Sequence, residues 1–179
     1  MTKKLLIKGL LVLSVFISMV SCSSDDNGDT PPEDQGSNFA MTFRMNGELF
    51  EFNNPFGTNA ASDTTIFSAY SPDEYILLQG RDGILGPIEV LIWIDRDDLV
   101  SGTTRQVDFD TFETATHVDL INLTDNGFES TLNGSVTILE ADTVNKTVRG
   151  TFEFNAVRDA YDTNVVYAIT EGTFNYTYE

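Results

Sequence analysis

Residues 134–156 read "GSVTILEADTVNKTVRGTFEFNA", and this stretch decides the fold class of the chain. Its second half alternates one set of residues (Val148, Gly150, Phe152, Phe154) with a polar set (Arg149, Thr151, Glu153). A period of two is typical of a β-strand with one packed face and one wet face. Because a turn at Thr143–Lys146 separates the two halves, the stretch predicts an antiparallel hairpin.

The same period extends towards both ends of the chain. Residues 39–45, "FAMTFRM", place Phe39, Met41, Phe43 and Met45 on one face. The Asn46-Gly47 pair that follows, before "ELFEF", is a strong signal for a type I′ hairpin turn. The final residues, "VVYAITEGTFNYTY" at 165–178, place Phe174, Tyr176 and Tyr178 on one face.

Two central segments predict a further hairpin. "YILLQG" at 75–80 and "IEVLIWID" at 88–95 are both strand-like, and the second is apolar on both faces, which predicts a central strand covered on both sides. No window of ten or more residues after the first 21 has the pattern of an amphipathic helix. We therefore expect residues 39–179 to form one all-β domain, an antiparallel sandwich or open barrel of about 8–10 strands.

The first 21 residues have the pattern of a cleaved secretory signal peptide. Lys3, Lys4 and Lys8 precede an apolar run, Leu10 to Val20, that is too short to span a bilayer. Removal of these 21 residues leaves seven basic and 28 acidic residues, a net charge of −21. Such a surface repels phosphate groups, so nucleic acid is excluded as a partner.

Cys22 is the only cysteine, so no intramolecular disulfide can form. Met19-Val20-Ser21-Cys22 resembles the lipobox of bacterial lipoproteins. The resemblance implies cleavage before Cys22 and attachment of diacylglyceryl and palmitate chains to the new N-terminus. Several acyl chains hold a protein firmly on a membrane, whereas a single short one does not.

Residues 22–38 contain no large apolar side chain after the cysteine, and we expect an acidic, flexible linker. The acids that follow Cys22 resemble the export signal of surface lipoproteins of the Bacteroidota, and Ser23 is similar to the residue at that position in lipoproteins sorted to an outer membrane. We therefore expect a lipid-anchored outer-membrane protein. The pattern is compatible with either face of that membrane, the periplasmic one or the cell surface.

Three segments together resemble an uncharacterised family of Bacteroidota lipoproteins: "FRMNGELFEF" at 43–52, the hairpin at 134–156, and "ITEGTFNYTY" at 169–178. The resemblance covers the whole predicted domain. It implies a leader, a lipobox and a single β-rich domain, and it brings no known activity.

Residues for catalysis are scarce in this sequence. His117 is the only histidine, and Asp119 would share its face of a strand, but no G-x-S-x-G nucleophile motif accompanies them. One histidine and one acylated cysteine cannot form a zinc site. We expect His117 to be an exposed or hydrogen-bonded strand residue, and we expect no enzyme activity, no catalytic residue and no cofactor.

Calcium is the remaining metal to consider, because its ligands are oxygens. Two acidic clusters could supply them, "DRDD" (Asp95, Asp97, Asp98) and "DFDTFE" (Asp108, Asp110, Glu113). Neither fits an EF-hand loop, and such clusters arise by chance in so acidic a chain. We therefore assign no metal site and keep Ca²⁺ as the weaker alternative.

The expected function is a non-catalytic binding or adhesion module for a glycan or an envelope protein. An assembly subunit of an envelope complex and a small hydrolase are the alternatives. Four aromatic residues could stack on sugar rings, although packing in the fold is favoured for each: Tyr70, Tyr75, Trp93 and Tyr161. Asp63-Thr64-Thr65 and Asp142-Thr143-Val144 resemble O-glycosylation sites of exported Bacteroidota proteins. The ligand and the oligomeric state stay open.

Overall fold

The computed structural model describes residues 39–53, 73–82, 86–109, 116–124 and 127–178. Within these residues it has nine strands and one turn of 3-10 helix at Arg96–Asp98. The strands are β1 (Met41–Met45), β2 (Glu48–Phe52), β3 (Tyr75–Arg81), β4 (Ile88–Asp95), β5 (Thr104–Val107), β6 (His117–Asn122), β7 (Gly127–Asp142), β8 (Thr147–Val157) and β9 (Tyr167–Thr177). The predicted all-β class is confirmed.

The predicted leader, Cys22 and the linker lie outside the described residues, and so do Asp63-Thr64-Thr65 and Tyr70. No helix in the described part of the chain is long and apolar enough to cross a membrane.

The strands form a single antiparallel sheet in the order β2-β1-β9-β8-β7-β6-β4-β3, and β5 pairs with β7 beside this path. The sheet curls strongly into a half-barrel, which is the open-barrel alternative of the predicted class. The curl brings β3 across to β9, where the Tyr176 hydroxyl donates a hydrogen bond of 3.0 Å to the carbonyl of Gln79. A carbonyl of the edge strand β3 is therefore satisfied by a side chain of β9, from the opposite wall.

Glycines on the concave face allow this curvature. A Cβ atom on Gly150 would lie 2.1 Å from the carbonyl oxygen of Thr137 and 2.4 Å from the ring of Phe174. One on Gly172 would lie 2.8 Å from the ring of Phe152. Aromatic rings thus cover positions where only glycine fits, a device that lets a sheet bend without leaving a void.

The predicted hairpin turns are confirmed. Asn46 and Gly47 have φ angles of 51° and 88°, as a type I′ turn requires, and Met45 pairs with Glu48 across it. In the turn after β7, the Asp142 carboxylate accepts hydrogen bonds of 2.9 Å from the backbone N–H groups of Val144 and Asn145. That side chain takes the place of a backbone acceptor in the turn.

The concave face carries the main core, and the convex face of β7, β8, β9 and β1 is hydroxyl-rich. Phe43 is fully buried, and its ring lies 5.4–6.0 Å from the rings of Phe50, Phe52 and Phe152. On the other face, the hydroxyls of Thr42 and Thr173 lie 2.7 Å apart. The alternation read from the sequence therefore corresponds to one packed and one wet face.

Strand β4 is apolar on both faces, as predicted, and lies between β3 and β6. Its convex side contributes to a second apolar layer, which we call the outer layer and which consists of Tyr75, Leu77, Leu91 and Trp93, with Ile121 packed against them. The outer layer covers the side chains on the convex face of the neighbouring strand β6.

Candidate functional site

The wall of the half-barrel opens between β5 and β6. Both strands pair with the same edge of β7, β6 with residues 127–129 and β5 with residues 134–137. Residues 130–133 lie between these two pairings, and the register of β7 against β8 shifts there. Bulges of this kind are frequent where a sheet must present a site.

A cavity of about 230 Å³ occupies this opening, and we call it the wall cavity. Its described lining consists of Asp108, Phe109, His117, Val118, Asp119, Glu129, Ser130 and Thr131. Three of these eight residues are acidic. The set therefore combines carboxylates with the apolar side chains of Phe109 and Val118.

His117 lines the wall cavity from the convex side, and Trp93 packs against it. They face each other across β6 and β4, and their rings are stacked with centroids 6.0 Å apart and an interplanar angle of 18°. His117 Nε2 lies 3.8 Å from Asp119 Oδ2. His117 is only 2% exposed, so of the two expected environments, exposed or hydrogen-bonded, the exposed one is wrong, because the outer layer covers this face of β6.

Asp119 is the electrostatically unusual residue of the site. Burial raises the pKa of its carboxyl from 3.8 to about 6, while a hydrogen bond from the Trp93 indole opposes that rise. The carboxylate is therefore charged at neutral pH although much of its hydration is lost. A cation placed beside it would restore part of that lost solvation energy.

Glu129 and Thr131 reach the wall cavity from the other side of the sheet. Glu129 pairs with Leu120, a core residue, and so faces the concave interior, where it is 5% exposed. The Thr131 hydroxyl donates a hydrogen bond to the carbonyl of Val118. A glutamate so deeply buried is rare outside specific polar sites.

The "DRDD" cluster has a structural role. Asp98 is 7% exposed, and its Oδ1 accepts a hydrogen bond of 2.7 Å from Arg105 Nε, while its Oδ2 accepts one of 2.8 Å from the Thr116 hydroxyl. Asp95 caps the 3-10 turn by accepting a hydrogen bond of 2.8 Å from the N–H of Asp97. These contacts tie the connection after β4 to β5 and to the start of β6.

The second acidic cluster is described only in part. Asp108 lines the wall cavity, whereas Asp110 and Glu113 lie outside the described residues. Among the residues that the structure describes, no group of three or more His, Cys, Asp or Glu side chains is placed to hold a metal ion.

The described aromatic residues that could stack on sugar rings differ in their exposure to solvent. Tyr75 and Trp93 are 7% and 3% exposed and belong to the outer layer, so neither can stack on a sugar ring. Tyr161, in the connection between β8 and β9, is 94% exposed. Sequence reasoning missed Phe109, which is 47% exposed beside the wall cavity; its signal was a lone aromatic between two aspartates.

The convex face of β7, β8 and β9 carries two further depressions, of about 190 and 420 Å³. Both are more open to solvent than the wall cavity, and Glu153 contributes to each. Their other side chains are mainly hydroxyl and amide groups, from Asn133, Ser135, Thr137, Thr151, Asn155, Thr170 and Thr173. Such a surface suits weak polar contacts better than enclosure of a ligand.

Comparison of the chain with protein-family models, with curated proteins and with solved structures finds no match. What the domain does must therefore be inferred from its own residues.

Proposed function

We propose that this chain is a lipid-anchored, non-catalytic binding module of the outer membrane, with its ligand site in the wall cavity. The supporting observation is the cavity itself, which lies where β5 and β6 leave part of one edge of β7 unpaired and whose His117 side chain is held by stacking on Trp93. A site on strands is more rigid than one on loops, and a pre-organised site loses less entropy when a ligand binds.

The anchoring part of the proposal rests on the sequence. Cys22 follows a lipobox-like segment, and the acidic linker ends at residue 38. Strand β1 begins at Met41, so the folded domain starts directly after the proposed linker. A flexible chain of sixteen residues has a root-mean-square reach of about 20–25 Å, enough to hold the domain clear of lipid headgroups.

The hydrolase alternative receives less support from the site geometry. A catalytic histidine must reach a nucleophile, but the ring of His117 is stacked on Trp93 and almost fully buried. Asp119 accepts a hydrogen bond from Trp93, and the Thr131 hydroxyl is directed to a backbone carbonyl. These contacts favour a site that holds a ligand in place over one that transfers protons.

Assembly through strand addition at β2 also receives less support. Strand β2 ends the described sheet on one side, is five residues long and exposes Glu48 and Glu51. Short, charged edge strands resist pairing with another chain.

Metabolic labelling tests the anchor. We expect labelled palmitate to be incorporated into the protein and lost in Cys22→Ser, because the acylated thiol is removed. Ser24→Ala is the matched control and should keep the label. A Cys22→Ser protein that still takes up fatty acid and still partitions with membranes would overturn the lipoprotein assignment.

A thermal-shift screen of the full chain in detergent, with glycans and Ca²⁺ as probes, tests the binding module. A ligand at one hundred times its Kd should stabilise the fold by about 2.7 kcal/mol. Phe109→Ala should remove a shift caused by a glycan, whereas Tyr161→Ala, at an exposed aromatic residue outside the wall cavity, should leave it unchanged. The reverse pattern would place binding away from the wall cavity.

A further inference from the structure

The size of the wall cavity limits what it can hold. An apolar cavity of about 150 Å³ accommodates benzene. At about 230 Å³, the wall cavity has room for one small ring with a short substituent. Of a glycan or another polymer, only a terminal ring could enter the cavity.

The charges of the lining residues favour a positively charged ligand. Asp108, Asp119 and Glu129 contribute carboxyl groups, and none of the described lining residues is a lysine or an arginine. The mature chain, at −21, also attracts cations at long range. An anionic ligand would meet repulsion both on approach and inside the site.

The remaining lining distinguishes an organic cation from a bare metal ion. A calcium site needs several oxygen ligands around one point, and the described residues include no suitable group of three or more. The exposed ring of Phe109 and the side chain of Val118 instead provide apolar contact. An aromatic ring beside carboxylates is a favourable environment for an alkylammonium group.

We propose that the wall cavity binds a small organic ammonium ion, with the charged nitrogen directed to Asp119 and the apolar body against Phe109 and Val118. The proposal rests on the proposed function as a binding module and names the ligand class of that same site. Its energetic basis is that the ligand supplies a counter-charge to a carboxylate that the outer layer has largely removed from water.

The single tryptophan of the chain makes the test direct. Trp93 donates a hydrogen bond to Asp119 and stacks on His117, so its fluorescence reports on this site alone. The full chain in detergent is titrated with benzylammonium, with benzyl alcohol as the neutral analogue of equal size and with benzoate as the anion. We expect a saturable change in emission with benzylammonium in the millimolar range, at least about tenfold weaker binding of benzyl alcohol, and no response to benzoate.

Two variants and a control complete the test. Asp119→Asn keeps the shape and the acceptor for Trp93 but removes the charge, and it should weaken benzylammonium binding at least about tenfold. Phe109→Ala, at the exposed rim, should weaken it without disturbing the fold. Glu51→Gln removes a distant exposed charge on β2 and should bind as the wild type does.

The proposal is overturned if benzylammonium gives no saturable change, if benzyl alcohol binds equally well, or if Asp119→Asn, checked as folded by circular dichroism, keeps wild-type affinity. None of these results affects palmitate labelling or a response to glycans, so the broader proposal can survive this failure. Conversely, a wild-type protein that takes up no labelled palmitate would contradict the lipid anchor and would leave the result of the titration unaffected.

Discussion

Strands β8 and β4 bury their side chains in different ways. In β8 every second residue from Val148 to Phe154 is buried, whereas in β4 five consecutive residues from Val90 to Ile94 are buried. The first strand has solvent on its convex side, and the second has the outer layer there. The site therefore belongs to the doubly covered region, because only there can a histidine and an aspartate on one face of a strand both be removed from water.

The largest expected effect tests whether the outer layer is a true core. Trp93→Ala should cost about 3–5 kcal/mol in the free energy of unfolding, as much as Phe152→Ala on the concave face, because both side chains are 3% exposed. Urea denaturation of the two variants measures this. A cost below about 1 kcal/mol for Trp93→Ala alone would show that the outer layer is only a surface.

The next effect concerns the curvature of the singly covered region. Gly150→Ala places a Cβ atom 2.1 Å from a backbone oxygen and 2.4 Å from Phe174, so we expect a loss of about 3 kcal/mol in denaturant titration. Thr151→Ala, on the exposed side of the same strand, should change stability by no more than about 0.5 kcal/mol. Equal effects would show that glycine is not needed for the bend.

A pH titration of stability sharpens the comparison at Asp119. The unfolded chain releases this proton near the usual pKa of 3.8, whereas the folded protein holds it to about 6. Between these values the folded state binds more protons, so this contribution is fully present below the lower value and is lost as pH rises through the upper one. Asp119→Asn should therefore gain stability over the wild type from pH 4 to pH 7, reaching on the order of 2 kcal/mol.

Asp142 gives a control of opposite sign. The backbone N–H of Asn145 lowers the pKa of its carboxyl, so its contribution is present above 3.8 and lost as pH falls through the folded value. Asp142→Asn should therefore be less stable than the wild type at neutral pH, with the difference vanishing in acid. A common sign for the two variants would contradict the assignment of both environments.

The smallest effect compares two ion pairs. Asp98→Asn should cost about 1–2 kcal/mol in thermal or urea unfolding, because it weakens the hydrogen bonds that the buried Asp98 side chain accepts from the half-exposed Arg105 and from Thr116. Glu140→Gln, in the exposed pair with Arg149 on β7 and β8, should have no measurable cost. A larger loss of stability in Glu140→Gln than in Asp98→Asn would show that solvent exposure does not decide how much each ion pair contributes.

Much of the fold could be predicted because alternation and turn chemistry are local. The Asn46-Gly47 turn, the hairpin of β7 and β8 and the doubly apolar β4 are each encoded within a few residues. The first strand of the hairpin predicted at 134–156 is longer than expected, since β7 begins at Gly127, extends over sixteen residues and carries two register shifts. A bulge adds one residue and shifts the alternation by one position, which makes one long strand look like two shorter ones in the sequence.

The all-β class and the shared strand face of His117 and Asp119 follow from local sequence patterns, whereas the lipobox at Cys22 stays a prediction. Only the tertiary structure decided the order of the strands, the burial of His117 and the wall cavity. The physical reason is separation along the chain: the cavity brings Asp108, His117 and Thr131 together because β5 and β6 share one edge of β7. The alternation of polar and apolar residues does not show which part of a strand edge will stay unpaired.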